Sequence, residues 1–339
     1  MGKLRHRRPL VITPVRRVRG GLDLEQLVGR IPEGYKPNRV ISRNCARACV
    51  GHLDLGSCNV KAAAGVGGRA HVRGVICYYS GSGNTRLACE YMAARIGVSF
   101  DLVDVTNGGD VDLLSYDMVG LAASTDFWSI PRRFEEFLAS LPPQSGTPAF
   151  VLNTYGLASG RTLRDLADQA MARGFAVFGG HSLRMPESYP PMIAGHMGFA
   201  DQPKAKGMAK FEAFIGDIAR ALEAVGRGEG VESKPVRLSP LNYLGPARAR
   251  TTARADMGEK FVDAALCIEC GECAERCPYE AITLAPKPVF DMAKCYGCWR
   301  CYSQCPQHAV YTHKFRGGPY YPGPSERARD ALSIPMRMG

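Results

Sequence analysis

The sequence has no apolar run able to cross a bilayer. Its longest stretch without a charge, Phe137–Gly160, is interrupted by Pro142, Pro143 and Pro148, whereas a spanning helix needs about 20 consecutive apolar residues. Acidic residues are scarce at the start: residues 1–74 hold 4 Asp+Glu against 15 Lys+Arg. Elsewhere the signs balance, so the formal charge of +11 belongs to the N-terminal arm. The arm lacks the aromatic interleaving of nucleic-acid binders, and residues 1–70 read as a solvated, disordered basic extension. No apolar segment follows Arg16-Arg17, which excludes a twin-arginine export signal. With nothing pointing to an oxidising compartment, a cytoplasmic location is expected, where thiols stay reduced.

Cysteine, by contrast, is plentiful: 13 in the chain, 8 of them in two copies of C-x2-C-x2-C-x3-C-P. The first copy is Cys267, Cys270, Cys273 and Cys277, before Pro278; the second is Cys295, Cys298, Cys301 and Cys305, before Pro306. A zinc ribbon wants two CxxC pairs across a long loop, and disulfides want export; neither fits two tandem runs of four. This spacing is that of bacterial ferredoxins holding two [4Fe–4S] clusters, in which the fourth cysteine of each run ligates the other cluster. Cluster one is therefore assigned to Cys267, Cys270, Cys273 and Cys305, and cluster two to Cys295, Cys298, Cys301 and Cys277.

The remaining cysteines carry less. Cys45, Cys49 and Cys58, with His52 among them, match neither a zinc spacing nor the C-x3-C-x2-C triplet and read as ordinary thiols. Cys77 and Cys89 read as core packing. Gly65–Ala70 imitates a dinucleotide fingerprint without the strand and helix that fingerprint needs.

Between residues 71 and 225 short β-rich runs alternate with helical patterns, as in a doubly wound parallel sheet. Strands are expected at Val72–Tyr79, Phe100–Val105, Met118–Ala123, Ala149–Leu152 and Phe175–Phe178, the second and third covered on both faces. Helices are expected at Thr85–Ile96, from Pro131 with Phe134, Phe137, Leu138 and Leu141 inward, at Thr162–Arg173 ending on Gly174, and at Pro203–Val225. The expected strand order is 2-1-3-4-5. After the first strand comes Ser80-Gly81-Ser82-Gly83-Asn84-Thr85, a short polar loop opening a helix. Backbone N–H groups and hydroxyls there can cradle an anion. The loop lacks a Walker lysine, which favours a single monophosphate such as that of FMN.

Tyr78–Arg86 (YYSGSGNTR) resembles the flavodoxin phosphate loop, and residues 72–313 together resemble the fused flavodoxin–ferredoxin proteins of anaerobic bacteria. That resemblance implies a flavodoxin-like α/β domain followed by a small α+β 2[4Fe–4S] ferredoxin-like domain. It implies FMN held by Ser80–Thr85, by Thr125, Phe127 and Trp128 after the third strand, and by Asn153, Thr154, Tyr155 and Gly156 after the fourth. Aromatic rings at such a strand edge can stack on a flavin and shift its potential.

Residues 226–259, rich in Gly and Pro, read as a connector that lets the cluster domain (260–314) dock or swing. Residues 315–339 read as an irregular tail. The expected function is low-potential electron transfer between two [4Fe–4S] clusters and FMN, with an unidentified redox protein as partner and no nucleic acid. No residue spacing demands a catalytic acid, base or nucleophile. Two alternatives remain: a flavin reductase of an organic substrate, with His181, His196 or Tyr189 as proton donor, and a flavin-free docking subunit.

Overall fold

A computed structural model describes residues 72–97, 100–109, 111–237 and 250–334. The basic arm, Cys45, Cys49, Cys58 and the 65–70 glycine run lie outside the described residues. Five parallel strands, β1 (Gly74–Tyr79), β2 (Phe100–Asp104), β3 (Met118–Ser124), β4 (Pro148–Tyr155) and β5 (Ala176–Arg184), form one sheet in the order β2-β1-β3-β4-β5. The expected order holds.

β1 is buried along its whole length and β3 along all but its last residue. β2 departs from the expectation of two covered faces: its burial alternates, and Leu102 is 36% exposed. The reason is position, because β2 is the edge and has only β1 beside it. β4 and β5 run well past their expected ends. Their polar extensions stay in the ladder because each supplies the other's partners, Asn153 opposite Ser182 and Tyr155 opposite Arg184. Pairing outweighs local preference here.

Helices α1 (Asn84–Ile96) and α5 (Ala205–Gly226) cover one face, packing Met92, Phe211 and Ile218 on Ile76 and Phe150. Helices α2 (Arg132–Ser140) and α3 (Thr162–Ala172) cover the other, packing Phe134, Leu138 and Leu166 on Val75, Leu121 and Val151. Phe137 is only partly buried beside them. A short helix α4 (Pro190–Ala194), which the sequence pattern does not announce, follows β5. The first part of the connector is not free: Lys234 N–H donates to Val177 O at 2.8 Å, and Val236 packs on the α2–α3 core.

The connector ends in a helix, α6 (Arg250–Met257). The second domain then runs β6 (Lys260–Val262), α7 (Glu272–Glu275), β7 (Ile282–Leu284), β8 (Pro288–Phe290), α8 (Arg300–Ser303) and β9 (Val310–Thr312). It is a repeat. The offset between Cys267 and Cys295 also relates β6 to β8, α7 to α8 and β7 to β9. Left-handed residues repeat with it, as Glu269 with Gly297, Gly271 with Trp299 and Glu280 with His308. The halves interlock, since β6 pairs with β9 and β7 with β8, both antiparallel.

The tail is not irregular throughout. After Phe315, which packs on Trp299, the chain crosses to the α/β domain and forms α9 (Glu326–Ala331), capped by Ser325 Oγ. Ala328 and Leu332 join the α1–α5 core. No helix among the described residues is long and apolar enough to cross a membrane.

Candidate cofactor site

A cavity of about 440 Å³ opens at the carboxyl ends of the strands, between the sheet and the second cysteine run. The edge is where open α/β sheets take ligands. Of the residues expected to hold FMN, Gly81, Ser82, Thr125, Phe127, Trp128 and Gly156 are on its wall. Phe127 and Trp128 have φ of 48° and 69°, which only a sharp turn forces on large side chains.

The others are placed behind the wall. Thr85 and Thr154 are buried with their Oγ1 atoms 2.9 Å apart, tying the loop after β1 to β4. Asn153 is buried within β4; its Nδ2 donates to Thr125 Oγ1 at 2.8 Å, and its Oδ1 accepts from Ser182. Ser80 Oγ accepts from Arg86 N–H at 3.1 Å. Tyr155 belongs to β4, so the expected loop begins only at Gly156. Gly83 has φ of 92°, and a Cβ there would stand 2.9 Å from Pro324 of the tail. These residues shape the cavity rather than line it.

Several wall residues escape a reading by motif. Glu187 joins two loops: its Oε2 accepts from Leu157 N–H at 3.0 Å and its Oε1 from Ser188 N–H at 2.9 Å. A Cβ on Gly156 would overlap that carboxylate and lie 2.7 Å from Glu187 Cα, so the close approach requires glycine. The tail supplies Tyr321, buried, whose hydroxyl donates to Asn84 Oδ1 at 2.6 Å. The second cysteine run supplies Tyr296, Cys298, Trp299, Arg300 and Gln304. Trp299 was legible by aligning the two runs, because it stands where the first run has Gly271, and both take a left-handed φ.

Polar contacts hold this face together. Tyr296 Oη donates to Asp126 Oδ2 at 2.7 Å and accepts from Arg132 N–H at 3.2 Å. Gln304 Nε2 donates to Gly81 O at 3.1 Å, and Arg300 Nη1 to Asn107 Oδ1 at 3.3 Å. The Arg132 guanidinium lies over the rings of Tyr279 and Tyr296 at 4.8 and 4.9 Å. The cluster domain is docked on the cavity, not held apart from it.

The donor set fits a flavin. The cavity wall carries the hydroxyl residues Ser82, Ser124, Thr125 and Ser188 beside the aromatic Phe127 and Trp128. α1 begins without a capping side chain and without an acid in its first turn, which leaves its N-terminus suited to a phosphate.

The cysteines fit clusters. Cys267, Cys270, Cys273 and Cys305 line one common recess, the set expected for cross-ligation. Ala281 N–H donates to Cys277 Sγ at 3.4 Å and Ala309 N–H to Cys305 Sγ at 3.3 Å, the same contact in each half. Among the described residues no group of three or more His, Cys, Asp or Glu could hold a single metal ion. A multi-iron cage is wider than the first shell of one zinc, where each sulfur sits about 2.3 Å from the metal.

Of the three candidate proton donors, Tyr189 is on the wall, His196 is exposed outside it, and His181 lies under α5. His181 stacks between Phe211 and Phe214 at 5.5 and 5.6 Å. Burial, helped by Lys210, lowers its pKa from 6.5 to about 4. The unfolded chain therefore binds the extra proton first, so stability present above pH 6.5 falls as pH drops toward 4. His181→Phe is expected to flatten that limb of the melting temperature against pH; an unchanged slope would refute a role for His181.

The family model described as a flavodoxin domain matches residues 75–181, and that described as a 4Fe-4S dicluster domain matches residues 266–309. No curated protein matches the chain. Solved structures with similarity include an archaeal flavodoxin (19% identity, 45% of this chain and 99% of that one, TM-score 0.34). Oxidised Flavodoxin 1 of Bacillus cereus shows 20% identity over 44% of this chain and 97% of its own, with a TM-score of 0.34. Rubredoxin oxygen:oxidoreductase of Desulfovibrio gigas shows 18% identity over 45% of this chain and 36% of its own, at 0.35. The two domains support an electron-transfer flavin/iron–sulfur protein, the first implying FMN and the second a 4Fe–4S cluster. A flavodoxin domain followed by a 4Fe–4S dicluster domain is the architecture of the fused flavodoxin–ferredoxin proteins.

Proposed function

We propose that the chain relays electrons between a partner protein and FMN through two [4Fe–4S] clusters. Cluster one is held by Cys267, Cys270, Cys273 and Cys305, and cluster two by Cys295, Cys298, Cys301 and Cys277. The observation that carries this reading is the cavity wall built by Tyr296–Arg300, which sets Cys298 against the flavin site. When bound, each cluster carries one electron and the flavin two.

The residues divide the work. Gly81 and Ser82 would take the phosphate, and Phe127 and Trp128 would flank the ring. The Tyr296–Asp126 and Gln304–Gly81 bonds would keep cluster two beside the flavin. The opposite end is open: Cys270 is exposed, with Leu266 and Ile268 48% and 61% exposed beside it. Exposed apolar residues around a ligand loop suit contact with a redox partner. Reduction of an organic substrate is the second reading, and Tyr189 on the wall is the observation that favours it.

Anaerobically purified protein is expected to hold about eight irons and one FMN. Ser82→Leu is expected to release the flavin and leave the iron unchanged, read from absorbance and metal analysis. Ser82 is the right position because Thr85 is fully buried and its loss would disturb β4 as well. Full flavin in the variant would refute the phosphate-loop assignment. Catalytic reoxidation by a small molecule would favour the second reading.

A further inference from the structure

Lys260 opens β6 and is 9% exposed. Its Nζ donates to Cys295 Sγ at 2.7 Å and lies 5.6 Å from the centre of the Phe290 ring. Cys298 and Cys301 also act on its charge. Among the described residues it has no carboxylate partner. Lysine is almost never buried unless paired, because an ammonium taken out of water without a counter-charge is strongly disfavoured. The fold has placed a cation where the protein offers only cysteine sulfur, so the anion it answers is the thiolate-bound cluster itself.

The repeat supplies an internal comparison. Pro288 opens β8 at the position that Lys260 holds in β6, and it lines the recess of Cys267, Cys270, Cys273 and Cys305. Proline brings no charge. Beside that recess the half-buried Lys287 donates to Cys267 O at 3.5 Å, but its charge is answered by Glu269, whose Oε1 lies 2.9 Å from its Nζ. Two halves with matching strands, helices and sulfur contacts thus differ in one buried charge.

We propose that Lys260 raises the reduction potential of cluster two above that of cluster one. The added electron increases the negative charge beside a buried ammonium, and that ammonium favours the reduced form. Hydrogen bonds to sulfur and local charge are the recognised controls of cluster potential. Electrons entering at the exposed Cys270 end then run downhill to the cluster beside the flavin. The inference rests on the cluster assignment above and extends it to an order of potentials.

The test is an EPR-monitored redox titration of the holoprotein and of Lys260→Gln and Lys260→Arg, with iron measured on each sample. Lys260→Gln is expected to lower one of two cluster potentials by at least 59 mV, a tenfold change in its reduced fraction, and to shift the other far less. Lys260→Arg is expected to restore most of the difference. Loss of four irons in Lys260→Gln but not in Lys260→Arg also supports the proposal, because assembly then needs the charge. Fully loaded Lys260→Gln with both potentials unmoved, or both moved equally, would overturn it. Fewer than eight irons in the unsubstituted protein would instead refute the cluster assignment and is read separately.

Discussion

Cys277→Ser is expected to remove the cluster of the second cysteine run while sparing that of its own run. Cys277 follows Cys273 closely in sequence, yet Cys273 shares its recess with Cys305 and not with Cys277. Cys277 lies within electrostatic range of Cys298 and Cys301. The interlocked strands would permit crossing: β7 leads away from Cys277 and pairs with β8, which returns the chain to Cys295. Iron is expected to fall from about eight to about four per chain. The Lys260-sensitive wave should vanish from the titration and the other should remain. Survival of the Lys260-sensitive wave would mean that each run ligates its own cluster.

Much of this was legible before any fold was seen, and the physical reasons are local. The cysteine spacing repeats within a few residues, so a 4Fe–4S domain at 266–309 could be read directly. The Ser80–Thr85 loop is similarly local, a turn between an apolar run and a helix start. What stayed illegible depends on partners far away in sequence. Asn153 and Thr154 look like loop residues until Ser182 and Leu183 come alongside to keep them in β4. Gly156 was singled out as a flavin-edge residue, but its requirement for glycine comes from Glu187. Arg132 and Tyr296 carry no motif, and their contact joins residues far apart in the chain. Residues 316–334 gave no periodic signal, because α9 spans only six residues and buries only Ala328 of them.

That tail carries the other large expected effect. Tyr320 and Tyr321 are adjacent, yet they face different domains. Tyr320 stacks on His308 at 3.9 Å and packs tilted against Tyr302 at 4.8 Å, within the cluster domain. Tyr321 reaches the phosphate loop through Asn84, and Asn84 Nδ2 donates onward to Pro186 O at 2.9 Å. Pro324 then covers Gly83, and α9 buries Ala328 beside α1. The segment therefore closes the phosphate end of the cavity and fastens the cluster loop to it. A chain ending at Gly317 is expected to lose FMN at least a hundredfold faster, about 2.8 kcal/mol on the scale of 1.4 kcal/mol per decade. Its cluster ligands all precede the cut, so iron should stay near the full complement. Tyr321→Phe removes one buried hydrogen bond, worth about 1 kcal/mol net, and should speed release only several-fold. Flavin release is followed by recovery of free-flavin fluorescence after dilution. Equal release rates for the full and shortened chains, with equal iron, would show that the tail covers the site without holding its contents.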